Sequence, residues 1–225
     1  GIVKQLWRRY VMQDIIKIES KQHPKVTLRV MPGHFATPNS HVNYFLDMTA
    51  LKARQSEAAA VAAELSKQIA ATTIVDTIVC MDGCEIVGSY LAEELTKAGI
   101  YSMNAHKTMY IITPEFGPSG QMLFRENLKP MVKGKNVLLL LASVTTGQTI
   151  IRALRALRYY GAEIAGISAI FSAANSIAGK TINSLFTTAD LPDYRKYEPE
   201  NCSMCKAKKE IDAFANAFGY SLIQE

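Results

Sequence analysis

The stretch that decides the fold is residues 136–161, which read NVLLLLASVTTGQTIIRALRALRYYG. It begins with six consecutive apolar residues, 137–142, and continues into a short turn of small and hydroxyl-bearing residues, 145–149. An amphipathic segment follows, with one apolar face formed by Ile150, Ile151, Leu154 and Leu157. This order predicts a buried strand, a tight turn and a helix.

The turn has the chemistry of a phosphate site. The first backbone N–H groups of a helix have no acceptor within the helix, and short side chains allow an anion to come close to them. An ordinary helix start capped by hydroxyl groups is the alternative interpretation. The candidate phosphate-binding residues are Ser143, Val144, Thr145, Thr146, Gly147, Gln148 and Thr149.

Composition limits the class of protein. The 225 residues, 48% of them hydrophobic, suffice for one sizeable domain with a small lobe. No apolar run approaches the roughly 20 residues that span a bilayer, so we expect a cytoplasmic protein without a membrane partner. The net charge of +5 suits an anionic small molecule and does not indicate nucleic acid. Three arginines at spacings of three predict a solvated helix face: Arg152, Arg155 and Arg158.

The cysteines form two pairs, Cys80 with Cys84 and Cys202 with Cys205. The second pair has the Cys-x-x-Cys spacing of half a zinc site or of a redox pair. A complete zinc site needs four ligands, and the four histidines of the chain show no paired spacing. The sequence therefore favours a surface turn without metal, although zinc remains open.

Strands and helices alternate along the chain. The predicted helices, besides the one after the turn, are residues 1–19, 55–71, 86–98 and 211–218. The predicted strands, besides the one before the turn, are residues 26–30, 44–47, 74–81, 108–113, 163–171 and 181–187. This pattern implies an α/β fold with a central, mostly parallel sheet flanked by helices. Ligands collect at the carboxyl ends of such strands, where residues 81–85 and 143–149 fall. Residues 114–120, with two prolines and two glycines, predict an exposed, mobile loop.

Residues 137–149 resemble the diphosphoribosyl-binding motif of type I phosphoribosyltransferases. In that motif, hydrophobic residues, two acids and two small or hydrophobic residues precede Thr-Thr-Gly-x-Thr. Three further segments resemble the orotate phosphoribosyltransferase branch, from about residue 30 to 220: GHFAT with NYFLD (33–37, 43–47), residues 77–92, and the tail 197–206. The resemblance implies the type I phosphoribosyltransferase fold. It also implies an N-terminal helix and hood lobe over residues 1–50 and a core domain with a C-terminal tail over 51–225.

The departures from the family pattern concern catalysis. Leu141 and Ala142 stand where the motif has the two acids that grip the ribose hydroxyls. Residues 171–173 (FSA) lack the Asp-Arg pair of the orotate branch, so orotate is a doubtful substrate. The loop 115–120 carries no basic residue, although the family uses basic residues there. An acid elsewhere, such as Asp47, Asp82 or Glu85, would restore the ribose contact.

The resemblance also implies particular ligand contacts. The expected pyrophosphate-binding residues are Met81, Asp82, Gly83, Cys84, Glu85 and Lys107. Asp82 is alternatively expected to cap the following helix, and Phe35 to stack on a base or to lie in the core. We expect phosphoribosyl transfer from phosphoribosyl diphosphate to a nitrogenous base, with Mg²⁺ if the protein is catalytic, in a homodimer. A binding protein that has lost the ribose-binding acids is the alternative, and the sequence identifies no catalytic residue and no protein-held metal.

Overall fold

The computed structural model describes residues 14–20, 22–97 and 102–223, and these form two compact units. The first unit contains the described residues up to Ala50 and those from Thr188 onward, and the second is Leu51–Thr187. The sequence assigned the tail after residue 187 to the core domain. The structure groups it with the N-terminal lobe, because strands from both ends of the chain pair in one sheet.

The strands of the described chain are, in order, β1 (Ile16–Glu19), β2 (Thr27–Ala36), β3 (His41–Asp47), β4 (Thr77–Cys80), β5 (Tyr110–Ile112), β6 (Glu115–Phe116), β7 (Met122–Leu123), β8 (Asn136–Val144), β9 (Glu163–Ser172), β10 (Ser176–Ile177), β11 (Lys180–Thr187), β12 (Lys196–Tyr197), β13 (Ala213–Asn216) and β14 (Gly219–Leu222). The α-helices are α1 (Thr49–Ala53), α2 (Gln55–Ile69), α3 (Glu85–Thr96), α4 (Gln148–Tyr159) and α5 (Ser203–Lys206). None of these helices is long and apolar enough to cross a membrane.

The second unit has the predicted α/β fold. Its sheet has the order β10-β11-β9-β8-β4-β5, and all its pairs are parallel except β10 with β11. Strand β8 is its centre, and the six apolar residues 137–142 are all buried. A continuous apolar strand of this kind is expected where a parallel sheet is covered on both faces. The apolar face of α4 packs against β8 in one hydrophobic cluster, through Ile150, Leu154 and Leu157.

The first unit is a separate, mostly antiparallel sheet of order β12-β3-β2-β13-β14, with β1 paired to β2. The predicted helix at residues 211–218 is wrong, because this segment forms β13 and the turn into β14. Burial along β13 alternates, with Ala213 and Ala215 buried and Phe214 exposed, which is the period of a strand.

Two other predicted helices extend beyond the described residues. The predicted N-terminal helix falls largely on residues 1–13, outside the described chain, and its last part is strand β1. The β-branched residues Ile16 and Ile18 suit that strand, which pairs with β2. The predicted closure of α3 at Gly99 also lies outside the described residues.

Asp76 ties the amino ends of β4 and β8 together. Its carboxylate accepts hydrogen bonds from the Asn136 backbone N at 2.8 Å and from Asn136 Nδ2 at 2.9 Å, and Lys107 Nζ lies 3.3 Å away. Burial works to raise the pKa of Asp76, but the hydrogen bonds from Asn136 and the charge of Lys107 outweigh it and hold the pKa below the ordinary value of 3.8.

Acidification should therefore remove stabilisation through Asp76. A carboxyl group whose pKa is lower in the folded state stabilises the fold above its unfolded pKa, and this stabilisation is lost as pH falls through the folded pKa. We expect Asp76→Asn to reduce the free energy of unfolding at pH 7 and to flatten its fall below about pH 4. Urea titrations of both proteins between pH 7 and pH 3 measure this, and parallel pH curves would contradict it.

Candidate functional site

The turn between β8 and α4 is a tight bend that leads directly into a helix start. Gly147 precedes the first helical residue with a left-handed backbone of φ 76°, and Gln148 N donates to Thr146 Oγ1 at 3.2 Å. Val144 is buried and Ser143 is half-buried, at the end of the strand. The remaining side chains of the turn are exposed: Thr145, Thr146, Gln148 and Thr149. Hydroxyl groups and the positive end of α4 therefore face solvent together.

One side of the turn is closed by packing. A Cβ atom placed on Gly147 would lie 2.1 Å from Cδ1 of Ile177, which belongs to the short strand β10. Ile177 itself packs against the hydrophobic cluster under α4. Packing against Ile177 therefore fixes one side of the turn, while the side that carries the exposed threonines is open to an anion.

The second predicted loop, residues 81–85, leaves the carboxyl end of β4 beside the first. Met81 N donates to Leu140 O of β8 at 2.8 Å, and Cys84 N donates to Met81 O at 3.0 Å. Asp82 and Gly83 both have positive φ, 57° and 75°, which makes the turn tight enough for α3 to start at Glu85. Two parallel strands therefore deliver both predicted loops to one edge of the sheet.

The two thiols near this loop, those of Cys80 and Cys84, are buried and unreactive. Burial, followed by the charge of Glu85, raises the pKa of Cys80 to about 12. Burial also raises the pKa of Cys84 far above its ordinary value, and the charge of Asp82 adds to this effect. Because a thiolate is the reactive form, neither side chain serves as a nucleophile.

Asp82 is the acid closest to the altered motif. Its carboxylate accepts a hydrogen bond from Ala142 N at 3.2 Å, and its carbonyl oxygen accepts one from Lys52 Nζ at 2.7 Å. The predicted capping role is wrong, because Cys84 is the N-cap residue of α3 and no side chain caps that helix. Burial raises the pKa of Asp82, while the amide of Ala142 and the charge of Lys52 oppose the rise. A carboxyl group thus lies against the backbone where the motif acids would stand.

A cavity of about 190 Å³ touches both loops. It is lined by Met81 from the loop 81–85, by Thr149 and Arg152 from the first turns of α4, and by Phe116. Phe116 belongs to the β6–β7 hairpin, so residues 115–116 of the predicted loop 114–120 pair with β7 and residues 117–120 lie in the turn between the two strands. The volume is below the roughly 300 Å³ of a typical ligand pocket, so the cavity suits one group of a larger ligand.

Arg152 is the site residue that the sequence prediction missed. It is exposed, as predicted for the solvated face that it shares with Arg155 and Arg158, but it also lines the cavity three residues after Thr149. The spacing i, i+3 places two residues on the same helix face, so the signal was present in the sequence. A guanidinium group at this position complements a phosphate oxygen.

Two predicted contact residues lie elsewhere. Lys107 pairs with Asp76 at the amino ends of the strands, while the loops lie at the carboxyl ends, so its position argues against the predicted pyrophosphate contact. Phe35 is fully buried in the first unit, with its ring centroid 5.9 Å from that of Phe45. Of the two interpretations of Phe35, the core residue is the one that agrees with the structure.

The residues of the two loops do not form a fitting Mg²⁺ site. Mg²⁺ requires oxygen ligands, usually one or two carboxylates together with substrate phosphates. Leu141 and Ala142 supply no side-chain oxygen, Asp82 accepts from a backbone amide, and Glu85 Oε1 accepts from Thr113 Oγ1 at 2.9 Å. A protein-held ion is therefore not supported here.

Comparison with known proteins agrees with this fold. The model of the phosphoribosyl transferase domain family matches residues 48–190, which is more than half of the chain. The chain is a member of that family. The fold is that of the type I phosphoribosyltransferases, as the sequence resemblance predicted.

Particular relatives lie in the orotate branch. Orotate phosphoribosyltransferase of Chlorobaculum parvum is 23% identical over 189 residues, covering 82% of this chain and 88% of the relative. The structure of orotate phosphoribosyltransferase from Mycobacterium tuberculosis H37Rv, with Fe(III) dicitrate, aligns with a TM-score of 0.50 and 17% identity over 73% of this chain and 92% of that one. The Leishmania donovani UMP synthase structure aligns with a TM-score of 0.53 and 20% identity over 72% of this chain and 34% of that one. At these identities the structures support the fold alone.

Proposed function

We propose that the protein binds phosphoribosyl diphosphate and transfers its phosphoribosyl group to a nitrogenous base. The observation that carries the proposal is that the turn 143–149 and the loop 81–85 leave the same edge of the sheet, where Met81, Thr149 and Arg152 line one cavity. The 5-phosphate is held by the first amides of α4, the hydroxyl groups of Thr145, Thr146 and Thr149, and the guanidinium of Arg152. The pyrophosphate group lies along the loop 81–85.

The transfer step needs support for positive charge on the ribose. A nitrogen of the base that has released its proton to solvent forms a bond to the anomeric carbon while the bond from that carbon to pyrophosphate breaks, and the electron pair leaves with pyrophosphate. The two motif acids that would supply this support are missing. The carboxyl group of Asp82, which lies beside the amide of Ala142, takes their place. Positioning by the two loops supplies most of the rate enhancement. Because a single carboxyl group lies beside Ala142 where the motif has two acids, and burial favours the neutral form of that group, turnover should be slow.

Orotate is not the proposed base. The strand end after β9 offers Ser172, whose hydroxyl donates to Ala174 O at 2.6 Å, instead of a cation that would meet a carboxylate. A base without a carboxylate group therefore fits this end of the sheet better. Dimerisation, a cytoplasmic location and Mg²⁺ carried on the diphosphate remain predictions.

A second candidate function is binding without turnover. It is favoured by the burial of Leu141 and Ala142, which are 1% and 3% exposed and have replaced both ribose-binding acids. In that case the protein senses a phosphoribosyl compound and regulates a partner. The two functions share the phosphate contact and differ in whether the bond to pyrophosphate breaks.

Calorimetry and a turnover assay separate these functions. Phosphoribosyl diphosphate and ribose 5-phosphate are titrated into the protein with and without Mg²⁺, and pyrophosphate release is followed with a panel of bases. The proposed transfer predicts tighter binding of the diphosphate and base-dependent release of pyrophosphate. Binding without release for every base leaves the sensor function, and no binding of either compound contradicts both.

Arg152→Ala should weaken ribose 5-phosphate binding by about ten- to a hundredfold, because a hydrogen bond to a charged group contributes about 1.5–3 kcal/mol. Arg155→Ala is the matched control, because Arg155 is exposed on the same helix and does not line the cavity. Dissociation constants from calorimetry give the comparison. Equal affinities for the two variants would remove Arg152 from the site.

A further inference from the structure

Four potential metal ligands of the first unit converge on one point: His34, His41, Cys202 and Cys205. One ligand atom from each lies within 4.8 Å of all the others. His34 and Cys202 are fully buried, His41 is half-buried, and Cys205 is exposed. The cluster is remote in sequence from the loops 81–85 and 143–149, and all four residues belong to the first unit.

The distances between these atoms are those of a tetrahedral metal site. His34 Nε2 is 3.0 Å from His41 Nδ1, and Cys205 Sγ is 3.3 Å from His41 Nδ1. Cys202 Sγ and Cys205 Sγ lie 3.6 Å and 3.7 Å from His34 Nε2. With Zn–N bonds of about 2.05 Å and Zn–S bonds of about 2.3 Å, a tetrahedron separates two nitrogens by about 3.3 Å and a nitrogen from a sulfur by about 3.5 Å.

The orientation of His34 is fixed for a metal. Its Nδ1 lies 2.9 Å from the carbonyl oxygen of Lys209 and 3.2 Å from that of Glu210, so Nδ1 carries the proton. Its Nε2 then presents a lone pair to the cluster. Metal-binding histidines usually donate their second ring nitrogen to a carbonyl or carboxylate oxygen in this way.

Several possible hydrogen-bond donors crowd a single acceptor in the cluster. With Nδ1 protonated, His34 Nε2 accepts one hydrogen, yet His41 Nδ1, Cys202 Sγ and Cys205 Sγ all surround it within 3.7 Å. Three possible donors would compete for one lone pair. A single cation among the four atoms satisfies every one of them.

We propose that this cluster binds a structural Zn²⁺ ion through two histidines and two cysteines. Thiolate and imidazole ligands select zinc over Mg²⁺ or Ca²⁺, and four protein ligands leave no open position for catalysis. The ion would join the β2–β3 hairpin to the segment containing α5. The interpretation of the cysteine pair as a surface turn without metal is thereby revised.

The sequence did not indicate His34 and His41 as zinc ligands, because strand pairing and not a short sequence spacing brings them together. β2 and β3 are antiparallel, and Ala36 of β2 lies opposite His41 of β3. His34 lies at an irregularity of β2 between Pro32 and Phe35, and from there its Nε2 comes within 3.0 Å of His41 Nδ1. A strand pairing thus brings together two histidines whose sequence spacing matches no zinc motif.

Metal analysis tests the proposal without measuring any activity. Elemental mass spectrometry of protein purified without chelator should find about one Zn²⁺ per chain, as expected for a site with four protein ligands. The variant Cys205→Ser should lose most of this zinc, since it removes an exposed ligand at little cost to packing. His106→Asn is the matched control, because His106 is exposed and lies outside the cluster, and it should retain the zinc.

A second measurement tests the proposal even if the Cys205→Ser variant fails to fold, because it uses the wild-type protein. Chelator-treated wild-type protein is titrated with Co²⁺, and the proposal predicts the strong visible bands of a tetrahedral thiolate site, saturating at about one equivalent. It also predicts a lower Tm after chelation that returns on adding Zn²⁺. Absence of zinc together with absence of these bands, or a disulfide between Cys202 and Cys205 in fresh protein, would overturn the proposal.

Discussion

Replacing Gly147 with alanine should destabilise the protein by about 2–5 kcal/mol, because a left-handed backbone costs an alanine about 1–2 kcal/mol and overpacking adds about 1–3 kcal/mol. The backbone φ is 76°, and the new Cβ would lie 2.1 Å from Ile177 Cδ1. The strain should also move the amides of α4, so we expect at least a tenfold loss of affinity for ribose 5-phosphate. Urea unfolding and calorimetry measure the two effects.

Gly134→Ala is the matched control for this change. Gly134 has a similar φ of 69°, but a Cβ there has no neighbour within 4 Å. It should therefore cost only the backbone part, about 1–2 kcal/mol, and leave ligand affinity unchanged. Adding Ile177→Ala to Gly147→Ala should recover part of the packing loss. Equal destabilisation at the two glycines would refute the packing of Ile177 on the turn.

Leu141→Asp should destabilise the protein by at least about 3–5 kcal/mol, the cost of leaving an unpaired charge buried. Leu141 is 1% exposed and belongs to the hydrophobic cluster beneath α4. Restoring the family acid at this position thus places a carboxylate among apolar side chains. The free energy of unfolding in urea is the measurement.

Leu141→Met controls for the change of side chain, because a swap that conserves volume costs less than about 1.5 kcal/mol. If Leu141→Asp is as stable as Leu141→Met, then position 141 reaches solvent and the ribose site lies closer to the family arrangement than proposed. If the Leu141→Asp variant is strongly destabilised, the core of this protein has adapted to the loss of the acid.

Residues 136–161 predicted the core of the fold because their chemistry is local. A buried apolar strand, a turn of small residues and an amphipathic helix each leave a pattern in consecutive residues. The tail was harder, because β13 buries only small side chains, Ala213 and Ala215, and pairs with a strand about 180 residues away. Its neighbouring apolar residues therefore resembled a helix face.

The candidate site was predictable only in part. The two loops follow from the carboxyl ends of β4 and β8, whereas Arg152 depends on which face of α4 meets the β6–β7 hairpin. Lys107 and Phe35 were assigned from the family resemblance. Their surroundings, an ion pair with Asp76 and a buried core, depend on packing that no local pattern contains.

The central claim is that the start of α4 binds the 5-phosphate of a phosphoribosyl compound. Titration of the ¹⁵N-labelled protein with ribose 5-phosphate tests it most directly, with ribose as the control for the sugar. We predict that the amide signals of Thr146, Gly147, Gln148 and Thr149 shift together and saturate with ribose 5-phosphate and do not respond to ribose. Saturating shifts confined to other parts of the chain, or none at these four amides, would contradict the account.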